Sequence, residues 1–243
     1  MTLPVFGFVA RHQEALADGM AQEAEWLARA AASGRAAAHL WQGAPGLVAP
    51  RSVAQEPGWA AAAARFPVQV RSSGGGLVPQ GPGLWNLSLV WPTDSVTPVA
   101  TDAIYRALCA ELAAAFALLG LATEAQAVEG SFCDGRFNLA AGGRKLVGTA
   151  QSWRRVGGRP MVLAHALVVV TADPVAITAR ANEFEAALGS GRRYRADALT
   201  SVALALGAMP TPEFEARVLQ ALAERFARVV PPHPHEEKIH GPA

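Results

Sequence analysis

The spacing of apolar and polar positions predicts alternating helices and strands along most of the chain. Apolar residues recur at helical spacing in five segments, which are 11–32, 57–65, 101–119, 174–188 and 212–229. Strand-like patterns occupy four others, which are 36–42, 66–71, 84–92 and 161–172. The run 161–172 is almost wholly apolar, and this is typical of a strand that is buried on both faces.

Local signals refine these elements and indicate a fold class. Thr211 and Pro212 are typical of the first turn of a helix, and Gly142–Gly143 predicts a hairpin turn between two strand-like arms. Hairpins stand where a doubly wound fold would have crossover helices. We therefore predict an α+β fold with a mixed, mainly antiparallel sheet, in one domain over 1–230. Residues 231–243 are predicted to be a disordered tail.

Composition narrows the functional classes. The chain has 243 residues, is 51% hydrophobic and 17% charged, and has a formal net charge of +1. It can bury a sizeable core, and its charge argues against binding nucleic acid by phosphate neutralisation. No run is apolar and long enough for a membrane span, and the N-terminus does not resemble a signal peptide. We expect a soluble, cytoplasmic protein without a disulfide framework, since it has only Cys109 and Cys133.

A glycine run, 74–76, follows directly on the strand 66–71, with Arg71 at its entry. The lysine and hydroxyl pair of a phosphate-binding P-loop is absent, and no helix follows as a dinucleotide fingerprint requires. One interpretation is that the glycine backbone contacts an extended ligand and that Arg71 binds a carboxylate or phosphate of this ligand. The other is a merely structural turn.

Three further side chains are candidates for chemistry, and each has a plainer explanation. Lys145 lies among small residues that would let a ligand reach it, although an isolated lysine is usually a surface charge. His165 stands in an apolar strand, where a hydrogen-bonded core histidine is the commoner case. Cys133 is either an inert cysteine or a nucleophile whose thiolate is stabilised near Lys145. Cys109 fits plain helix packing, and the six histidines show no metal-ligand spacing, so no metal site is predicted.

Taken together, these stretches resemble the lipoate–protein ligase A family, within the wider group of biotin and lipoate ligases and octanoyltransferases. The family carries an arginine and a Ser-Gly-Gly-Gly run leading into an Asn-bearing strand, then a Gly-Arg-Asn-Asp-like element, a Lys-x-x-Gly-Ser-Ala motif and a His-bearing strand. The matching residues here are Arg71, Ser73, Gly74, Gly75, Gly76, Asn86, Ser88, Gly135, Arg136, Phe137, Asn138, Lys145, Gly148, Thr149, Ala150 and His165.

The resemblance implies a fold and a chemistry. The fold is the catalytic core shared by biotin ligases and class II synthetases, and the chemistry is transfer of a lipoyl or octanoyl group to a lysine of a lipoyl-domain protein. It implies that the glycine run lies along the acyl chain and that Lys145 binds the acyl carbonyl or the acyl-adenylate. It assigns Arg136 and Asn138 to nucleotide binding. Asn86, Gly148, Thr149, Ala150 and His165 fall in its substrate-binding motifs.

The chain also departs from the ligase pattern. Pro79 and Gln80 replace an aromatic residue and a histidine, and Phe137–Asn138 replaces an Asn-Asp pair, which removes a carboxylate that magnesium would prefer. The predicted helices end near residue 230, so the accessory domain of the ligases is not expected here. These departures weigh against ATP-dependent ligation.

Three functions stay open on the sequence. A lipoate–protein ligase would use lipoate, ATP and Mg²⁺. An octanoyltransferase would need no cofactor and would take octanoyl from an acyl carrier protein through a thioester on Cys133. A non-catalytic acyl-binding or partner subunit would fit the changes at Gln80 and Phe137, although the retained Lys145 argues against it.

Overall fold

The computed structural model describes residues 3–71, 74–94 and 98–228. The predicted tail, 231–243, and the predicted site residue Ser73 lie outside the described residues. In the part described, no helix has the length and apolar character needed to cross a membrane.

Ten strands and six α-helices make up the described chain. The strands are β1 Val9–Arg11, β2 Ala37–Trp41, β3 Gly46–Pro50, β4 Val68–Arg71, β5 Val78–Gln80, β6 Leu84–Pro92, β7 Glu124–Gln126, β8 Asn138–Ala141, β9 Arg144–Val156 and β10 Arg159–Val169. The helices are α1 Gly19–Ser33, α2 Trp59–Arg65, α3 Pro98–Ala117, α4 Pro174–Leu188, α5 Val202–Ala205 and α6 Pro212–Ala227.

Two sheets organise these elements. Seven strands form the main sheet in the order β1-β2-β6-β10-β9-β8-β7, and three form a small sheet in the order β4-β3-β5. Neighbours are antiparallel except β1 with β2 and β3 with β4. The predicted α+β class with a mixed, mainly antiparallel sheet is therefore confirmed.

The predicted hairpin at Gly142–Gly143 joins β8 to β9. Both glycines have positive φ, +54° and +75°, which a two-residue hairpin turn requires and a side chain disfavours. A second hairpin joins β9 to β10 and sets a register that places His165 opposite Ala150. These two long central strands form the platform on which the site is built.

Each face of the main sheet carries its own packing layer. Helices α3 and α6 cover one face, where Leu112, Phe116 and Leu222 are fully buried. Helix α1 covers part of the other face through Trp26 and Leu27. The small sheet packs against α4 and α2 in a separate apolar cluster. The second face of the main sheet is thus left partly open between α1 and the small sheet.

The differences from the predicted elements lie at their ends and in short strands. The helix predicted over 11–32 begins only at Gly19, because Val9–Arg11 pairs with β2 and the Asp18 side chain accepts a hydrogen bond from the Ala21 N–H as a cap. Helix α3 begins at Pro98, three residues before the predicted start. The periodicity does not predict the short strands β1, β5 and β7, since three residues carry too little of it to be recognised.

Candidate active site

A cavity of about 260 Å³ opens between the β9–β10 hairpin and the small sheet, with α1 at one side. Gly148, Ala150 and Ser152 of β9 line it, and they pair with Leu167, His165 and Leu163 of β10. Alternate residues of a strand share a face, so these small side chains form one floor. The floor leaves room above the sheet for an extended ligand.

Lys145 is the buried cation of this cavity. The residue is only 5% exposed, and Nζ donates hydrogen bonds to the carbonyl oxygens of Phe132 and Cys133, the latter at 2.9 Å. Burial lowers the pKa of Lys145 to about 8, although the charges of Cys133 and Asp134 act in the opposite direction. A Cβ on Gly148 would lie 3.3 Å from Lys145 Nζ, so the absence of a side chain at this glycine leaves room for the amine.

Cys133 stands at the rim of the cavity in an unusual backbone conformation. Its φ of +49° makes it the only residue other than glycine with positive φ in the described part of the chain. Its carbonyl is fixed by two donors, Lys145 Nζ and Asn138 Nδ2, the second at 3.0 Å. A left-handed conformation outside glycine costs free energy and is found where surrounding contacts impose it, often at functional sites.

The glycine run faces Cys133. A Cβ on Gly75 would lie 2.9 Å from Cys133 Sγ, and one on Gly76 would lie 3.3 Å from its backbone nitrogen. Gly74 lines the cavity and has open space around it. Close approach to the cysteine loop is therefore a reason for glycine at 75 and 76 that the sequence does not reveal. Their predicted contact with an acyl chain stays a prediction.

Arg71 organises the same loop. Its guanidinium donates to the carbonyl oxygens of Val48, Gly74 and Gly76, at 3.2, 3.1 and 2.6 Å, with a second bond to Gly74 from Nε. Burial lowers its pKa, and the charge of Cys133 partly offsets this. Arg71 lines the cavity, but most of its hydrogen-bonding capacity is used to hold the glycine loop.

A buried polar network lies along the floor beyond Gly148. The His165 Nδ1 lies 2.8 Å from Glu23 Oε1, and its Nε2 lies 3.2 Å from Asn86 Oδ1. Ser88 donates to the same Glu23 oxygen, and Asn86 exchanges two hydrogen bonds with Gln80. Burial raises the pKa of Glu23, but the charge of His165 and the hydrogen bonds of His165 and Ser88 outweigh it, so the pKa is lowered.

The two residues assigned to nucleotide binding differ in burial and contacts, and neither lines the cavity. Arg136 is exposed, forms an ion pair with Asp102 at 2.9 Å and lies over the ring of Phe137. Asn138 is buried and holds the carbonyl of Cys133. Neither is among the residues that line the cavity, whereas Thr149 and Ala150 are. Thr149 also donates a hydrogen bond to the carbonyl of Phe137.

Glu23 and Met20 are site residues that the sequence analysis does not identify. Both line the cavity from α1. A signal for Glu23 exists, because Trp26 and Leu27 follow it at helical spacing and place its carboxylate on the buried face of the helix. Gln80 stands out in the sequence only as a departure from the ligase pattern, and the structure gives it two hydrogen bonds to Asn86.

The donor set of the cavity does not suit magnesium. Glu23 supplies the only carboxylate among its described lining residues, and one oxygen already accepts from Ser88 and contacts His165. Within the ranges that the structure describes, no group of three or more His, Cys, Asp or Glu side chains is arranged to hold a metal ion.

Comparison with known proteins assigns this architecture to a family. Residues 17–223 match the model of the lipoyl protein ligase A/B catalytic domain. The chain belongs to this family. The predicted resemblance is confirmed, and the chain contains a lipoate or octanoyl transferase-type catalytic domain.

The chain is also similar to two curated proteins and to a solved structure. An uncharacterised protein of Cupriavidus necator is 48% identical over 193 residues, which are 72% of this chain and 76% of that protein. An octanoyl-[GcvH]:protein N-octanoyltransferase of Kyrpidia tusciae is 40% identical over 150 residues, which are 58% of this chain and 51% of the transferase. The crystal structure of lipoate-protein ligase A bound with ATP aligns with a TM-score of 0.59 at 14% identity, over 93% of this chain and 85% of the ligase. This structural likeness confirms the predicted fold.

Proposed function

We propose that the protein is an octanoyltransferase, which carries an octanoyl group from a carrier protein to a lysine of a lipoyl-domain protein through a thioester on Cys133. The observation that carries the proposal is the position of Cys133 at the cavity, in a strained backbone conformation fixed by Lys145 and Asn138. Two cationic side chains surround this cysteine, because Lys145 donates a hydrogen bond to its carbonyl and the Arg71 guanidinium lies with its sulfur beside Gly75.

In the first step, the Cys133 thiolate attacks the octanoyl carbonyl of the donor. A C–S bond forms, the bond from the carbonyl carbon to the donor's nitrogen or sulfur breaks, and the leaving group takes a proton. Lys145 is suited to supply that proton, because its amine lines the cavity and two carbonyl oxygens orient it. The acyl chain then lies over the small side chains of β9.

In the second step, the amine of the acceptor lysine attacks the thioester carbonyl. A C–N bond forms, the C–S bond breaks, and Cys133 leaves as a thiolate. The neutral Lys145 takes the proton that the acceptor amine loses, which restores the starting state. A pKa of about 8 suits both directions of this transfer, since catalytic groups work best with a pKa close to the working pH.

The proposed donor follows from the Kyrpidia relative, whose name gives octanoylated GcvH as its substrate. We propose octanoyl-GcvH as the donor here, and octanoyl-acyl carrier protein as the alternative that the sequence suggests. Both present an acyl carbonyl to the same thiolate, so the chemistry at Cys133 is shared.

ATP-dependent lipoate ligation is the second candidate. The family match and the retained Lys145 support it. The cavity's donor set and the surface position of Arg136 weigh against a nucleotide and magnesium site.

The deciding experiment is intact-mass measurement of an apo lipoyl domain after incubation with the protein. Three reactions contain octanoyl-GcvH, octanoyl-acyl carrier protein, or lipoate with ATP and Mg²⁺. The proposal expects octanoylation in the first reaction, an octanoyl adduct on the enzyme itself, and loss of both in Cys133→Ser.

Cys109→Ser is the matched control. Cys109 is buried in α3, and burial raises the pKa of its thiol to about 11, so it stays protonated and its loss should leave transfer unchanged. Modification only in the third reaction, retained in Cys133→Ser and lost in Lys145→Ala, would identify a ligase. Absence of any mass change in all three would favour a non-catalytic subunit.

A further inference from the structure

A second cavity adjoins the first. It measures about 270 Å³ and lies between α1, the segment before β3 and the start of β4. Met20, Val48 and Gln80 line both cavities, so these three side chains form a common wall. Removing the wall would about double the space open to a ligand.

Two of the three wall residues are fixed. Val48 is buried in the centre strand of the small sheet, paired with β4 and β5. Gln80 is held by Asn86 through hydrogen bonds of 2.9 and 3.2 Å. A Cβ on Gly43 would lie 2.6 Å from Gln80 Oε1, which shows how closely the chain packs around it.

Met20 is the movable member. It is only half-buried, and methionine has an unbranched side chain with three rotatable bonds. Its backbone is anchored, because the preceding Gly19 lies so close to Trp41 that a Cβ there would be 2.1 Å from the indole ring. The side chain can therefore swing while the helix stays in place.

The distances match the length of an acyl chain. The floor runs about 7 Å from Gly148, beside Lys145, to Ala150, which pairs with His165. His165 contacts Asn86, and Asn86 is hydrogen-bonded to the wall residue Gln80. An extended eight-carbon chain spans about 9 Å by the reach of a chain of single bonds. A chain of this length that starts beside Lys145 extends past Ala150, and the second cavity adds Trp41, Leu47 and Val68 on the other side of the wall.

We infer that the protein binds unbranched acyl chains of ten to twelve carbons, with their tails passing Met20 into the second cavity. The inference goes beyond the proposed function, whose acyl group has eight carbons, and rests on it only for the acyl nature of the ligand. It does not require Cys133 or any transfer step.

The test is calorimetric binding of octanoate and dodecanoate to the full-length protein. Ala44 and Ala17 are exposed and line only the second cavity, so Ala44→Phe and, independently, Ala17→Phe fill it without altering the first. Ala28→Phe adds the same ring to the exposed face of α1 as a control.

The wild-type protein should bind dodecanoate at least tenfold more tightly than octanoate. Either filling variant should reduce that ratio of dissociation constants by more than threefold, and octanoate affinity should stay within about twofold. The inference is overturned if both variants leave the ratio within threefold of wild type, if Ala28→Phe changes it equally, or if the wild-type protein binds neither acid. Normal binding here without octanoyl transfer in the mass assay would overturn the proposed function alone.

Discussion

At the scale of single residues, the glycine run shows how a short motif can be recognised for one reason and required for another. Gly75 has a φ of +106°, and its missing side chain leaves room for Cys133 Sγ and the Arg71 guanidinium. Gly74, one residue earlier, lacks a positive φ, and a Cβ added to it would meet no atom within 4 Å. Identical residues in one motif therefore carry different constraints.

We predict that Gly75→Ala destabilises the protein by about 1–3 kcal/mol and lowers octanoyl transfer at least tenfold, because the new methyl group is strained and meets the Cys133 sulfur. Gly74→Ala is the matched control and should leave both stability and octanoyl transfer almost unchanged. Thermal unfolding measures the loss of stability, and intact-mass measurement of the octanoylated lipoyl domain measures the loss of transfer. Equal behaviour of the two variants would contradict the packing argument.

A second prediction at this scale concerns Lys145 and the dependence of protein stability on pH. Its pKa is about 8 in the folded protein and 10.5 in an exposed lysine. Below pH 8 both states hold the proton and the buried cation destabilises the fold, whereas between about pH 8 and 10.5 the unfolded state holds more protons, so stability rises with pH. The lowered pKa corresponds to a destabilisation of about 3 kcal/mol at neutral pH, which is relieved as the pH rises past 10.

The Lys145→Met variant lacks this proton. We expect the free energy of unfolding of wild type, minus that of Lys145→Met, to rise from about pH 7 to about pH 10 in urea titrations. Using the difference removes the contribution of other titrating groups. Parallel curves for the two proteins would show that the buried amine does not titrate as proposed.

At the scale of elements, α1 contributes to the site through a residue on its buried face. Glu23 accepts a hydrogen bond from Ser88 of β6 and contacts His165 of β10, so it connects the helix to these two neighbouring strands. A buried carboxylate of this kind is stable only while its partners remain, so α1 and the hairpin depend on each other.

We expect Glu23→Gln to destabilise the protein by about 1–3 kcal/mol at neutral pH, because it replaces a buried carboxylate that accepts from Ser88 and contacts His165. The pKa of Glu23 is lowered below 4.5, so its contribution is present above that pH and declines as pH falls further. The gap between variant and wild type should accordingly narrow in acid, measured by denaturant unfolding. Glu25→Gln, which alters only an exposed pair with Arg29, should change stability by less than about 0.5 kcal/mol.

At the scale of the whole molecule, the cavity lies where two separately packed sheets meet. Lys145 comes from the main sheet, Arg71 from the small one, and Cys133 from the loop between β7 and β8. The C-terminal part of the chain joins them, since the Thr200 N–H donates to the Lys145 carbonyl and Tyr194 packs on Phe132. A ligand in the cavity therefore contacts both the main sheet and the small sheet, which pack in separate apolar clusters.

This arrangement predicts that dodecanoate slows amide hydrogen exchange in both sheets. At a concentration of about one hundred dissociation constants, binding should add about 2.7 kcal/mol to the stability of the liganded state. The slowing should appear in β4 and β5 as well as in β9, followed by mass spectrometry of peptides from each strand. If hydrogen exchange is slowed in β9 alone, the ligand does not contact the small sheet and the prediction is wrong.

The sequence by itself determined the long helices, the central strands, the Gly142–Gly143 hairpin, the α+β class and the family, because those features are written in local periodicity, turn chemistry and motif spacing. Only the tertiary structure decided that Gly75 faces Cys133, that Asn138 holds the cysteine carbonyl and Arg136 lies at the surface, and that Glu23 and Met20 border the cavity. The reason is physical. A periodic pattern reports which face of an element is buried, whereas contacts between residues far apart in the chain, such as Glu23 with His165, exist only once the elements have packed.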